Sequence, residues 1–309
     1  MRQGEVAPKG AWIGNPLGGV KSPDPLVLPD PATRFARTAD RLEVLSTGHP
    51  MEAWLRFMAQ LARAQHVAAT TAGPLAGPSA ASVATAVVAR MPPLAAEGHR
   101  RHLAWRDGLA TLLDEFAGMA VPAPAQTVVA SLRQRDAAAL EALADRFLHG
   151  AVDSAEVGPA LYITAALQVY FTRLAAALPA PSLRLLPQRG LCPCCGSTPV
   201  TGLVTASGAT PGARYLHCSL CATSWNHVRA VCITCGGSRS IVLEGIEGDP
   251  GAVKAETCKE CHTYSKMLYQ AKDMQVDPFA DDLATLGLDL LVAGAGWARH
   301  APNPLLLTL

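Results

Sequence analysis

The first 190 residues of this 309-residue chain contain no cysteine, and all nine cysteines follow Leu191. That placement excludes a chain stapled throughout by disulfides and confines sulfur chemistry to the C-terminal part. An excess of charge of one sign is also missing. The formal net charge is +1, so no whole-chain field draws nucleic acid or anionic lipid. Aromatics make up only 5% of the residues, while alanine, leucine and proline dominate, which favours helices packed closely through small side chains. Long hydrophobic runs are absent too. The most apolar late stretch, 283–298, is interrupted by Asp289 and several glycines, so no membrane insertion is expected. The start, MRQGEVAPKGAWIGNPLGGVKSP, lacks an apolar segment of signal-peptide length. These absences predict a cytoplasmic chain with a flexible N-terminal segment over residues 1–30.

Half of the residues are hydrophobic and 17% are charged, enough to bury a sizeable core. Residues 31–186 read as an all-helical domain. Phe35, Ala39 and Leu42 lie at helical spacing within 32–44, and Trp54, Phe57, Met58, Leu61 and Ala62 form a second stripe within 51–69. Further helices are predicted over 79–90, 99–119, 124–134, 137–149 and 157–177. After Leu191, glycine, threonine, valine and cysteine replace the alanine–leucine pattern, which suits short strands and tight turns. A last helix is predicted over 281–292, within a C-terminal helix and tail spanning 273–309. The expected fold is therefore α+β: a helical domain, two tandem rubredoxin-like or zinc-ribbon metal units at 187–228 and 229–272, and a short C-terminal helix.

Eight of the cysteines fall into four C-x-x-C pairs: Cys192/Cys195, Cys218/Cys221, Cys232/Cys235 and Cys258/Cys261. Adding 40 to each member of the first two pairs gives the last two, so the region is an internal repeat. Gly196 matches Gly236 and Arg214 matches Lys254 under the same offset. Both sulfurs of a C-x-x-C turn point to one side, and two such knuckles make a tetrahedral S4 cage that suits zinc or iron. The expected ligands are Cys192, Cys195, Cys218 and Cys221 at one site and Cys232, Cys235, Cys258 and Cys261 at the other, with two metal ions in all. Cys194, inside the first pair, has Thr234 as its counterpart and reads as a non-ligand. A disulfide framework is disfavoured in a chain of this length without a secretion signal.

Between Cys192 and Lys266 there are six basic and five acidic residues. Two zinc–tetrathiolate sites would bring that region to about −3, the wrong sign for a nucleic-acid binder. Nor does any Ser/His/Asp order or phosphate-binding glycine loop suggest an enzyme, and a closed four-thiolate shell lacks the open position of a catalytic zinc. His217, His227 and His262 stand beside the cysteine pairs, where supporting or surface roles are expected. The residues therefore lead to a metal-bound protein-binding module, with a zinc-ribbon nucleic-acid-binding or regulatory protein as the alternative. Arg214, Tyr215, His217, Trp225 and Arg229 gather around the second knuckle as candidate partner-binding residues. A second reading makes Tyr215 and Trp225 the small core of a ribbon.

The stretches Cys192-Pro193-Cys194-Cys195-Gly196-Ser197 and Gly212-Ala213-Arg214-Tyr215-Leu216-His217-Cys218-Ser219-Leu220-Cys221 resemble the formate dehydrogenase accessory protein family, the FdhE type. So do Trp225, Arg229, Lys254-Ala255-Glu256-Thr257-Cys258, Thr263-Tyr264 and the tail from Ala280-Asp281-Asp282-Leu283-Ala284 to Asn303-Pro304. Arg34-Phe35, Arg41-Leu42 and His49-Pro50 are similar but less specific. The resemblance implies a non-enzymatic, rubredoxin-like, iron-binding assembly factor of the cytoplasm. Its implied partner is the catalytic subunit of respiratory formate dehydrogenase, a molybdenum- or tungsten-containing selenoenzyme exported by the twin-arginine route. Two departures stand out: Asn226, with His227 following, occupies the position where the family pattern has histidine after the tryptophan, and Cys194 is extra.

Overall fold

A computed structural model describes residues 22–208 and 210–306. Residues 1–21, the larger part of the segment expected to be flexible, lie outside the described residues. The remainder of that segment departs from expectation. Leu26–Val27 forms a strand, β1, that pairs antiparallel with residues far along the chain, Leu26 opposite Trp225 and Val27 opposite Ser224.

The helical domain holds seven helices among the described residues: α1 (Arg34–Ser46), α2 (Glu52–Thr71), α3 (Ala80–Val88), α4 (Ala104–Ala117), α5 (Ala123–Gln134), α6 (Ala137–Leu148) and α7 (Val157–Ala176). Short polar caps start two of them: the Ser79 hydroxyl accepts from the Ser82 N–H, and the Asp136 carboxylate accepts from the Ala139 N–H. Helix α7 lies at the centre. Fourteen of its twenty residues are buried, so it is apolar around most of its circumference, as an interior helix should be. The helix expected from residue 99 begins five residues later. His99 and the His102 N–H instead bond the Tyr170 hydroxyl at 3.2 and 3.0 Å, which holds that stretch in a turn against α7.

Two strand triplets follow: β2 (Pro199–Val204), β3 (Arg214–Cys218) and β4 (Ser224–Asn226), then β5 (Ile241–Glu244), β6 (Val253–Cys258) and β7 (Thr263–Tyr269). They form one sheet, in the order β1-β4-β3-β2-β7-β6-β5. Each triplet is antiparallel internally, and the two are joined by a parallel pairing of β2 with β7, Gly202 opposite Met267. A Cβ on Gly202 would sit 2.5 Å from the Met267 sulfur, so a larger residue there would have to displace that buried side chain. The offset counterpart, Val242, lies on the edge strand β5 and is 36% exposed.

The predicted C-terminal helix is two short helices, α8 (Ala280–Ala284) and α9 (Leu286–Gly294), followed by strand β8 (Ala298–Arg299) beside β7. The break falls at Thr285, whose hydroxyl bonds back to the Asp281 carbonyl at 2.7 Å. This tail also carries a buried ionic cluster. Lys266, fully buried, meets Asp289 at 2.5 Å and Asp282 at 3.3 Å, and Arg299 closes the group from the other side. Arg41 of α1 reaches Asp281 and Asp273 at 2.7 Å, tying the helical domain to the tail. No helix among the described residues is long and apolar enough to cross a membrane.

Candidate metal centres

The four knuckles meet in pairs, as the 40-residue offset predicts. Cys192, Cys195, Cys218 and Cys221 bring their sulfurs within 4.8 Å of one another, and so do Cys232, Cys235, Cys258 and Cys261. The two clusters repeat each other closely. Sγ of Cys192 lies 3.5 Å from Cys221, and Cys232 lies 3.6 Å from Cys261. The Cys192 N–H donates to the Ser197 carbonyl and the Cys232 N–H to the Gly237 carbonyl. Gly196 and Gly236 take φ of 81° and 75°, the left-handed conformation that turns the chain after the first knuckle. After the second knuckle the same conformation falls on Ala222 and His262, at φ 58° and 54°. These two positions are also 40 apart, as are Thr223 and Thr263, whose hydroxyls lie 3.2 and 3.0 Å from the sulfurs of Cys221 and Cys261. The threonine pair obeys the same 40-residue offset as the cysteines, and that offset is the signal that marks it.

The donor set fits a soft or borderline cation. Backbone N–H groups of Cys194, Leu220 and Cys221 point at sulfurs of the first cluster at 3.4 Å, as Thr234 and Gly237 do at the second. At the first cluster, burial pushes the Cys192 and Cys221 thiols well above their ordinary range. Cys195 goes the other way: burial opposes ionisation, but hydrogen bonds from the neighbouring thiols and Ser197 hold it well below that range. Four such sulfurs cannot all ionise without a cation among them, and a bound metal supplies that charge. Each cluster could hold one metal ion. Cys194 is fully buried beside the first cluster but outside it.

The surroundings of the clusters differ. The first lies against the helical domain, its cysteines part of the same apolar core as α2, α4 and α7. The Leu94 and Ala96 N–H groups donate to the carbonyls of Cys194 and Cys195, both at 2.8 Å. Gln168 of α7 donates to the Ser219 carbonyl at 2.8 Å and accepts from Gln65 at 3.0 Å. Arg34 sits over Phe279 at 3.8 Å. Burial brings its pKa down to about 10, against the opposing pull of Asp277 and Cys218. In the second cluster Cys235 is exposed and Cys261 half-buried. A cavity of about 800 Å³ adjoins it, with Cys232, Thr234, Cys235 and His300 in its wall.

The five candidate partner-binding residues separate. Arg214 and Trp225 are each only 1% exposed, which removes both from any recognition surface. Arg214 pairs with Glu256 at 2.8 Å, joining β3 of the first unit to β6 of the second, and also donates to the Val231 carbonyl at 3.1 Å. Trp225 donates to the Arg189 carbonyl at 2.8 Å, so its place is in the core. Tyr215 and His217 are half-buried, and the Tyr215 hydroxyl bonds the Asp24 carbonyl. His217 bonds Ser224 at 3.0 Å and is lowered to about 4 by burial and by Arg37. Arg229 is exposed. His227 is lowered to about 4 by burial and the Arg214 charge, and bonds its neighbour's carbonyl rather than a cysteine.

Three family models match the chain in succession: FdhE N-terminal over residues 23–187, FdhE central domain over 191–229 and FdhE C-terminal domain over 230–306. The FdhE homolog of Edwardsiella ictaluri is 41% identical over 285 residues, covering 91% of both chains. That of Cronobacter sakazakii is 36% identical over 283 residues, with the same coverage. The crystal structure of the FdhE protein from Pseudomonas aeruginosa superposes with a TM-score of 0.82 at 33% identity, covering 91% of this chain and 98% of that one. The chain belongs to the FdhE family, known as formate dehydrogenase accessory proteins.

Proposed function

With that family as premise, we propose that this protein is a non-catalytic cytoplasmic factor in the maturation of respiratory formate dehydrogenase. It binds the catalytic subunit of that enzyme through its metal-binding sheet. Family membership over nearly the whole chain is the observation that carries the reading. The site geometry supports it. Cys192, Cys195, Cys218 and Cys221 are the ligands of one iron or zinc ion, and Cys232, Cys235, Cys258 and Cys261 those of a second. Four thiolates complete a tetrahedral shell and leave no position for a substrate, which favours a binding role over catalysis at the metal. Zinc there would be structural, and iron would add a one-electron couple.

Burial of Arg214 and Trp225 shifts the proposed contact toward the exposed turns at the edge of the metal units, with Arg229 and Cys235 among their residues. Arg214 and Trp225 contribute by holding that surface in shape. The test is capture of the catalytic subunit by the full-length protein, read together with formate dehydrogenase activity in cells lacking this factor. Cys232→Ser with Cys235→Ser is the informative variant, because the first-site cysteines lie in the core and their loss would unfold the chain. The double variant and Arg229→Glu should each weaken capture at least about tenfold, the effect of losing one strong contact. Undiminished capture with full restoration of enzyme activity by both variants would sink the proposal.

A further inference from the structure

Two clusters built on one repeat would be expected to behave alike, yet the hydrogen bonds that tie the first to the helical domain have no counterpart at the second. The first-site cysteines are at most 1% exposed. The carbonyls of Cys194 and Cys195 are taken by the Leu94 and Ala96 N–H groups, and that of Ser219 by Gln168. Under the 40-residue offset these carbonyls correspond to those of Thr234, Cys235 and Lys259. Among the described residues, none of the three accepts a protein hydrogen bond. Lys259, Glu260 and His262, which surround the last knuckle, are exposed, and Cys235 is exposed as well. The cavity of about 800 Å³ leads to the sulfur-bearing loop 232–236, with the apolar Leu185 and Ile233 in its wall.

We infer that the two centres have different work: the first is a sealed structural staple, and the second is an exchangeable site open to an incoming thiol. This rests on the reading that each cluster holds an ion. Exchange at an S4 centre needs an entering donor to approach the metal while one thiolate leaves. At the second site the entering thiol reaches the ion from the cavity side. With an ion held there, the thiol sulfur would take the place of Cys235 on the metal, and the thiol proton would pass to the released Cys235 sulfur. No electrons are transferred and the charge at the centre is unchanged. At the first site the same event requires the helical domain to part from the sheet, so its rate is set by a local opening.

The zinc-loaded full-length protein tests this. A chromogenic chelator follows zinc release, and iodoacetamide quenching with peptide mapping identifies the freed sulfurs. One zinc per chain should leave at least ~100-fold faster than the other, a ratio that corresponds to a modest local opening. The fast phase should free Cys232, Cys235, Cys258 and Cys261 while the first-site cysteines stay unlabelled. Millimolar thiol should accelerate the fast phase only. Cys235→Ser should speed the fast phase further and leave the slow one unmoved. Release of both ions at one rate, or first-site labelling ahead of second-site labelling, would overturn the inference. First-site cysteines that are alkylated before any chelator is added would instead sink the occupancy reading, so the two failures are distinguishable.

Discussion

Arg214→Met is the substitution whose outcome says most about how the metal units are assembled. The guanidinium is 1% exposed and its partner Glu256 is 8% exposed, at 2.8 Å. Removing the cation leaves a carboxylate in the sheet with nothing to balance it, and frees the Val231 carbonyl, which Arg214 now satisfies at 3.1 Å. Loss of one partner of a buried pair costs about 3–5 kcal/mol. With a urea dependence on the order of 3 kcal/mol per molar, the midpoint of the metal-loaded protein should fall by roughly 1 M or more. Burial already raises the Glu256 carboxyl above its ordinary 4.5, with Arg214 holding it back, and the variant loses that restraint. A raised folded-state value means the native state holds the proton more tightly than the unfolded chain. Stability of the variant should therefore decline as pH rises above 4.5, more steeply than for the parent. Adding Glu256→Leu should restore most of the loss, since replacing both charges by apolar groups is close to neutral. A midpoint change below about 0.3 M, together with lost capture of the catalytic subunit, would refute this reasoning and return Arg214 to a recognition role.

Four further outcomes are expected. Lys266→Met leaves Arg299 to balance Asp282 and Asp289 alone and should destabilise by about 1–3 kcal/mol in chemical unfolding; unchanged stability would contradict the buried network. Lys266 and Arg299 hold Asp282 below its ordinary 3.8 against the opposing effect of burial, so the parent should lose stability as pH falls below 3.8, and Asn in place of Asp282 should blunt that acid limb. Gln168→Leu breaks the links to Ser219 and Gln65 and should cost about 1–3 kcal/mol, with faster first-site zinc release as a second readout. Gly190→Ala drives a Cβ into the Ile233 carbonyl and should cost about 1–3 kcal/mol by thermal denaturation, with unchanged stability as the contrary result.

Much of the metal region could be read from residue order alone. A C-x-x-C turn is a local object, so its sulfur geometry and the left-handed glycine after it follow from a few adjacent residues. The 40-residue offset then paired the knuckles without any knowledge of the sheet. Helices α1 to α7 were legible for a similar reason, since apolar periodicity and proline breaks act over one or two turns. The start of α4 was not, because Tyr170 of α7, distant in the chain, decides it.

What a side chain meets across the fold lay beyond that reach. Arg214 and Trp225 have the composition of a recognition patch, and only the packing of β6 and of the 185–191 segment shows that both are interior. Lys254 matches Arg214 in the repeat, yet the buried lysine of the second unit is Lys266, because α8 and α9 bring their aspartates there. By itself the sequence determined two four-cysteine centres of one design, since spacing and turn handedness are short-range. Tertiary structure decided that one is sealed and the other open, because burial depends on which neighbour covers a surface, and only the first unit's cysteines belong to the core shared with the helical domain.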